Sequence, residues 1–127
     1  SSEKGFTWKK PGYQTDCSWF GFMLLVKPHV SFTKSAFASY LDENKVGNRM
    51  LFGGNLLRQP AFVQLMKDQP GAIRTLDFCD PSSNKTASYS GADRIMNEAI
   101  FIGTYPGLTK AQLNHMIETI RNFASEF

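Results

Sequence analysis

Cysteine is nearly absent from this chain: there are two in 127 residues, Cys17 and Cys79, far apart and without a C-x-x-C pair. That spacing excludes the common zinc ribbons and redox motifs and leads us to expect a reduced, cytoplasmic protein with two free thiols. Histidine is equally scarce, with only His29 and His115. His29 follows a proline in a turn and His115 falls on the polar side of a helix, so both read as surface residues rather than as a base or a metal ligand. Long apolar runs are missing as well. The longest, Trp19 to Val26, is too short to cross a bilayer and lies too far in for a signal peptide, so no membrane association is expected. Charge of one sign is not concentrated anywhere. The net charge is +3 and Lys9-Lys10 is the only adjacent basic pair, which argues against a nucleic-acid partner. Neither G-x-x-x-x-G-K-[ST] nor G-x-G-x-x-G occurs, and without a secretory signal the sequon Asn84-Lys85-Thr86 carries no weight.

What is present suits one globular domain: 42% hydrophobic and 20% charged residues. Residues 1–17 are polar and turn-rich and read as a leading arm anchored by Phe6, Trp8 and Tyr13; residues 18–127 read as a single α+β domain. The stretch 18–27 carries apolar residues on both alternating faces, so its strand needs cover on two sides. Thr33 can N-cap a helix over 34–44 that buries Phe37, Tyr40 and Leu41. A strand over 48–52 follows, then a helix over 60–67 opened by Pro60. A long polar loop at about 68–90 is the longest irregular segment. Ser90 and Asp93 have capping-box spacing for a helix over 91–98. AIFIG, 99–103, is a strand, and a second capping box, Thr109 with Gln112, opens a last helix with Leu113, Met116, Ile117, Ile120 and Phe123 on one stripe. The expected class is thus α+β: a small, mainly antiparallel sheet of three to four strands covered by helices.

The loop LFGGNLLRQP, 51–60, stands out. Two glycines sit beside Asn55, Arg58 and Gln59 in an otherwise apolar stretch. The glycines allow a sharp exit from the strand. Arg58 has two equally open roles. It either serves the carbonyls of its own chain or clamps a ligand anion or sugar hydroxyl in two-pronged fashion.

Three segments together, SWFGF (18–22), VGNRMLFGGNLLRQPAF (46–62) and ADRIMNEAIFIGTYPGLTKAQLNHMIE (92–118), resemble the C-terminal domain of the DegT/DnrJ/EryC1/StrS family of pyridoxal-phosphate (PLP)-dependent sugar enzymes. The nearest branch is the lipopolysaccharide-biosynthesis CDP-4-keto-6-deoxy-D-glucose 3-dehydrases. The resemblance implies the aspartate-aminotransferase fold group, in which a large domain holds the cofactor and a small C-terminal domain closes over the active site of a dimer. It implies that Asn55, Leu56, Arg58 and Gln59 face a nucleotide-sugar in the cleft. The cofactor-binding large domain and the cysteine quartet of the dehydrase are not in this sequence. We therefore expect no catalytic residue, no metal and no bound PLP in this chain, and no catalysis by it alone. The expected partners are a missing large domain or further copies of the chain. The alternative is a free-standing oligomeric interaction module that reuses the fold, because the apolar faces of 19–26 need cover. A small enzyme with new chemistry would need His115, Arg58 and a carboxylate to converge. The segment 68–91 is longer and more polar than the family pattern.

Overall fold

Five short strands, hydrogen-bonded in the order β1-β2-β3-β5-β4 and antiparallel throughout, form one open sheet. The computed structural model describes residues 2–73 and 89–127. Cys79, the Asn84 sequon and most of the polar segment 68–90 lie outside the described residues. The strands are β1 (Ser2–Glu3), β2 (Phe6–Thr7), β3 (Gly21–Val26), β4 (Asn48–Met50) and β5 (Ala99–Gly103), and the helices are α1 (Lys34–Glu43), α2 (Pro60–Asp68), α3 (Ser90–Glu98) and α4 (Lys110–Ser125). From β3 onward this is the expected order, with one addition: a 3-10 turn over Leu56–Arg58 precedes α2. The leading arm supplies the other difference. Its β1–β2 hairpin adds to the β3 edge, with Phe6 opposite Val26, so the sheet has five strands.

Residues opposite one another in the ladder share a face. Leu24 pairs with Ile100, and Phe22 with Ile102. That face meets α1 and α4 across a core built from Phe6, Leu24, Val26, Phe37, Ile100 and Phe123. Its centre is aromatic. The ring centroid of Phe37 lies 4.5 Å from that of Phe6 and 5.0 Å from that of Phe123, spacings at which tilted rings attract. Burying each such ring contributes roughly 1.5–3 kcal/mol. The opposite face carries Met23 and Phe101 as a pair, both only half-buried. Gly21 allows this face to close, because a Cβ there would run into the Phe101 ring.

The helix ends show which local signals were obeyed. The Thr33 side chain accepts from the Ala36 amide, and Thr109 with Gln112 forms the full capping box. Pro60 occupies the first turn of α2, where its missing amide costs nothing. The Ser90–Asp93 box does not form. Ser90 is already helical, Tyr89 is the cap, and no side chain satisfies the end. The α4 stripe also differs. Phe123 is buried and Met116 and Ile120 are half-buried, but Leu113 and Ile117 are exposed, while Thr119 and Ala124 are buried instead. The buried contacts gather in the C-terminal half of α4, against the phenylalanine cluster. Tyr13, expected to anchor the arm, is 94% exposed.

Candidate functional site

The loop after β4 is built by its own polar residues. Leu51 to Gly54 make a tight turn closed by the Gly54 amide on the Leu51 carbonyl at 3.4 Å. Gly54 has φ +65°, and a Cβ on it would come within 2.6 Å of Met96 in α3. Both the backbone and the space therefore require glycine. Asn55 follows and is 5% exposed. Its Oδ1 accepts from the Leu57 amide at 3.1 Å, capping the 3-10 turn, and its Nδ2 donates to Asp93 Oδ1 at 2.8 Å. Arg58 donates from Nε to Asp93 Oδ1 at 2.5 Å and from an Nη to Oδ2 at 2.7 Å. Gln59 donates to the Gly53 carbonyl at 3.0 Å, pinning the two ends of the loop together.

The polar trio is thus bonded within the chain: Asn55, buried, and Arg58, exposed, knit the loop to α3, and Gln59 closes the loop on itself. Arg58 thus has a structural partner in its own chain, a carboxylate rather than a carbonyl. The fork is not saturated. The second terminal nitrogen of Arg58 has no partner among the described residues. Hydrogen bonds from Arg58 and then Asn55, together with the Arg58 charge, outweigh desolvation and bring the Asp93 carboxyl from 3.8 down to about 2. The same pairing raises the Arg58 guanidinium, so the ion pair is charged at any physiological pH. What faces outward is apolar: Leu56 is 52% exposed and Phe52 81%. Phe52 and Phe20 both lie against Phe101, at 6.3 and 5.7 Å between centroids, giving an aromatic ledge beside the loop.

Asp93 is the residue the sequence hid. Its spacing from Ser90 imitates a capping box, whereas its carboxylate is consumed by partners 35 and 38 positions earlier. His115 does not join Arg58 and the carboxylate. Its Nε2 lies 2.8 Å from the Asn44 carbonyl at the end of α1. His29 sits exposed at φ +66° in the turn after Pro28. Among the described residues no helix is long and apolar enough to cross a membrane.

A small antiparallel sheet with helices on its core face, carrying a glycine-turned loop stitched to the helix before β5, defines an α+β domain. Its curated relatives include a sugar 3-dehydratase. The chain is 34% identical over 110 residues to lipopolysaccharide biosynthesis protein RfbH of Salmonella typhimurium, a match spanning 87% of this chain and 22% of that protein. It is 29% identical over 112 residues to dTDP-4-dehydro-2,6-dideoxy-D-glucose 3-dehydratase of Saccharopolyspora spinosa, covering 88% of this chain and 21% of the relative. The fold matches the Escherichia coli GDP-4-keto-6-deoxy-D-mannose-3-dehydratase, solved with bound hydrated PLP, at a TM-score of 0.65 and 14% identity, over 91% of this chain and 25% of that one. No family model matches. The chain spans about a fifth of the length of its curated relatives, a share that fits one small domain of such a protein.

Neither Asp93 nor Lys34 is placed to hold PLP. A pyridine ring nitrogen needs a carboxylate and the phosphate needs a ring of donors. Asp93 is already held by Arg58 and Asn55. Burial lowers the Lys34 ammonium, but its Nζ donates to the Met96 carbonyl.

Proposed function

We propose that this chain is the small-domain part of a PLP-dependent nucleotide-sugar 3-dehydratase or aminotransferase of bacterial cytoplasmic deoxysugar and lipopolysaccharide biosynthesis. Chemistry on the sugar rests with a cofactor-bearing large domain. This chain's part is to present the loop 51–59 to the nucleotide-sugar. The observation that carries the reading is the Asn55–Asp93–Arg58 network. It fixes the loop before any ligand arrives, leaves one guanidinium nitrogen of Arg58 without a partner among the described residues, and turns Leu56 outward. A preset cation beside an apolar contact suits a sugar diphosphate, since little ordering remains to be done on binding.

The ledge of Phe20 and Phe52 is the proposed seat of the large domain. A solvent-facing cluster of large aromatics marks an association surface, and it adjoins the loop through Phe101. The same ledge favours a second reading, self-association of the chain as a homo-oligomer. Titration of the chain with a CDP-hexose, followed by amide shifts of Leu56 and Arg58, tests the first reading. Saturable shifts at millimolar ligand that vanish in Arg58→Ala are expected. No shift at those concentrations removes the ligand-facing role. Light scattering before and after Phe20→Ser with Phe52→Ser tests the second: an oligomer that dissociates in the double variant supports it, and a monomer throughout removes it.

A further inference from the structure

A second concavity lies at the other end of β4 from the loop 51–59. It measures about 560 Å³, within the roughly 300–1,000 Å³ of small-molecule sites. The connection from α1 to β4 forms one wall, the connection from β5 to α4 another, and the first turns of α4 the third. Three polar groups on these walls are unspent. The Lys45 ammonium makes no ion pair or hydrogen bond among the described residues. Gln112 uses its Oε1 for the Thr109 cap, which leaves its amide hydrogens over. His115 faces the Asn44 carbonyl through Nε2, and a carbonyl only accepts. The hydrogen is therefore on Nε2, and Nδ1 of the neutral ring is a bare acceptor. Leu108, Ala111 and Met116 provide apolar lining, and no carboxylate among the described residues lines the cavity.

We propose that this cavity binds a small hydroxylated organic anion. An oxyanion head, carboxylate or phosphate, pairs with the Lys45 ammonium and the Gln112 amide. The body lies against Leu108 and Met116, and a ligand hydroxyl donates to His115 Nδ1. The absence of any lining carboxylate selects for an anion, and the single bare acceptor selects for a hydroxyl donor. This site is separate from the proposed nucleotide-sugar loop and does not depend on it.

The test is a titration of the chain with 4-hydroxybenzoate, 4-hydroxyphenyl phosphate, benzoate and 4-hydroxybenzyl alcohol, read from the Met116 methyl and His115 ring signals. At least one of the two hydroxylated anions saturates the site at roughly millimolar concentration; the tighter of them identifies the head group. Benzoate binds about fivefold more weakly than 4-hydroxybenzoate, and the neutral alcohol does not saturate. Lys45→Asn keeps a residue suited to the left-handed backbone at this position (φ +61°) and weakens the anions about tenfold. His115→Gln retains a donor toward Asn44 and removes the advantage of the hydroxyl. Ala111→Leu fills the cavity and abolishes binding; circular dichroism of each variant confirms that it is folded. Failure of both hydroxylated anions to saturate, equal binding of the alcohol, or insensitivity to Lys45→Asn overturns the proposal. Equal affinity for benzoate and 4-hydroxybenzoate overturns the His115 assignment.

Discussion

Arg58 grips Asp93 with two parallel hydrogen bonds, Nε to Oδ1 at 2.5 Å and an Nη to Oδ2 at 2.7 Å, across 35 residues of sequence. The pair fastens the loop after β4 to the helix before β5, and it has a pH signature. The Asp93 carboxyl is brought from 3.8 to about 2. A group whose folded pKa is depressed adds stability that is complete above its unfolded pKa and is lost as pH falls through the folded one. The contribution is therefore constant above about pH 5 and disappears between about pH 4 and pH 2. Urea melts of the native chain and of Asp93→Asn across that range check it. The native protein loses stability more steeply on acidification, and the two curves converge at the acid end. Parallel curves would mean that the grip does not hold in solution.

Two segments of the chain look like capping boxes, and only one is. Thr109 accepts from the Gln112 amide while Gln112 reaches back to the Thr109 amide. Ser90 sits inside α3 without a capping bond, because Asp93 is turned toward Arg58 and Asn55. Thr109→Ala is expected to cost about 1 kcal/mol, and Ser90→Ala to stay within about 0.5 kcal/mol of the native chain. Chemical denaturation of the two variants under identical conditions separates them, and equal costs would contradict the assignment of the caps.

That contrast shows what was legible in the sequence. Elements with a local cause were read from it: the Thr33 and Thr109 caps, Pro60 at the start of α2, and the apolar run of β3. The α+β class and antiparallel sheet followed from their order. Features with a distant cause were not. Asp93 satisfies a local motif on paper, but a guanidinium and a buried amide compete better for its carboxylate. The strands β1 and β2 have two residues each, too few for any periodicity, and exist only because the β3 edge is there to pair with. The stripe on α4 ran past the core, since periodicity gives the face of a helix but not how far its cover extends. The loop residues Asn55, Arg58 and Gln59 stood out in the sequence as unusual. Their bonding within the chain was not visible there, because nothing local distinguishes a polar residue awaiting a ligand from one bonded across the fold.

Gly21 tests the sheet face that carries the ledge. Its position against the Phe101 ring leaves no room for a methyl group. Gly21→Ala is expected to push Phe101 aside and cost about 1–3 kcal/mol. Phe20 and Phe52, which lean on Phe101, would shift with it. Aromatic proton spectra report the shift directly. An unchanged Phe101 signal with native stability would show that the ring is not packed there.

The leading arm makes the last prediction. Phe6 is 1% exposed, its ring 4.5 Å from Phe37 and 5.3 Å from Phe32, and its strand pairs with Val26 and Leu25. A residue so placed belongs to the core, although only two strand residues hold it to the sheet. Phe6→Ala removes a ring from a close-packed cluster that cannot collapse fully around the space, and about 3–5 kcal/mol is the expected loss. Tyr13, seven positions after Phe6 and outside the packing, is expected to change stability by less than about 0.5 kcal/mol when replaced by serine. Urea denaturation gives both values from the shift in midpoint, provided the slope is unchanged. If Phe6→Ala costs no more than Tyr13→Ser, the hairpin is detached in solution, and β3, not β1, is the edge of the sheet on that side.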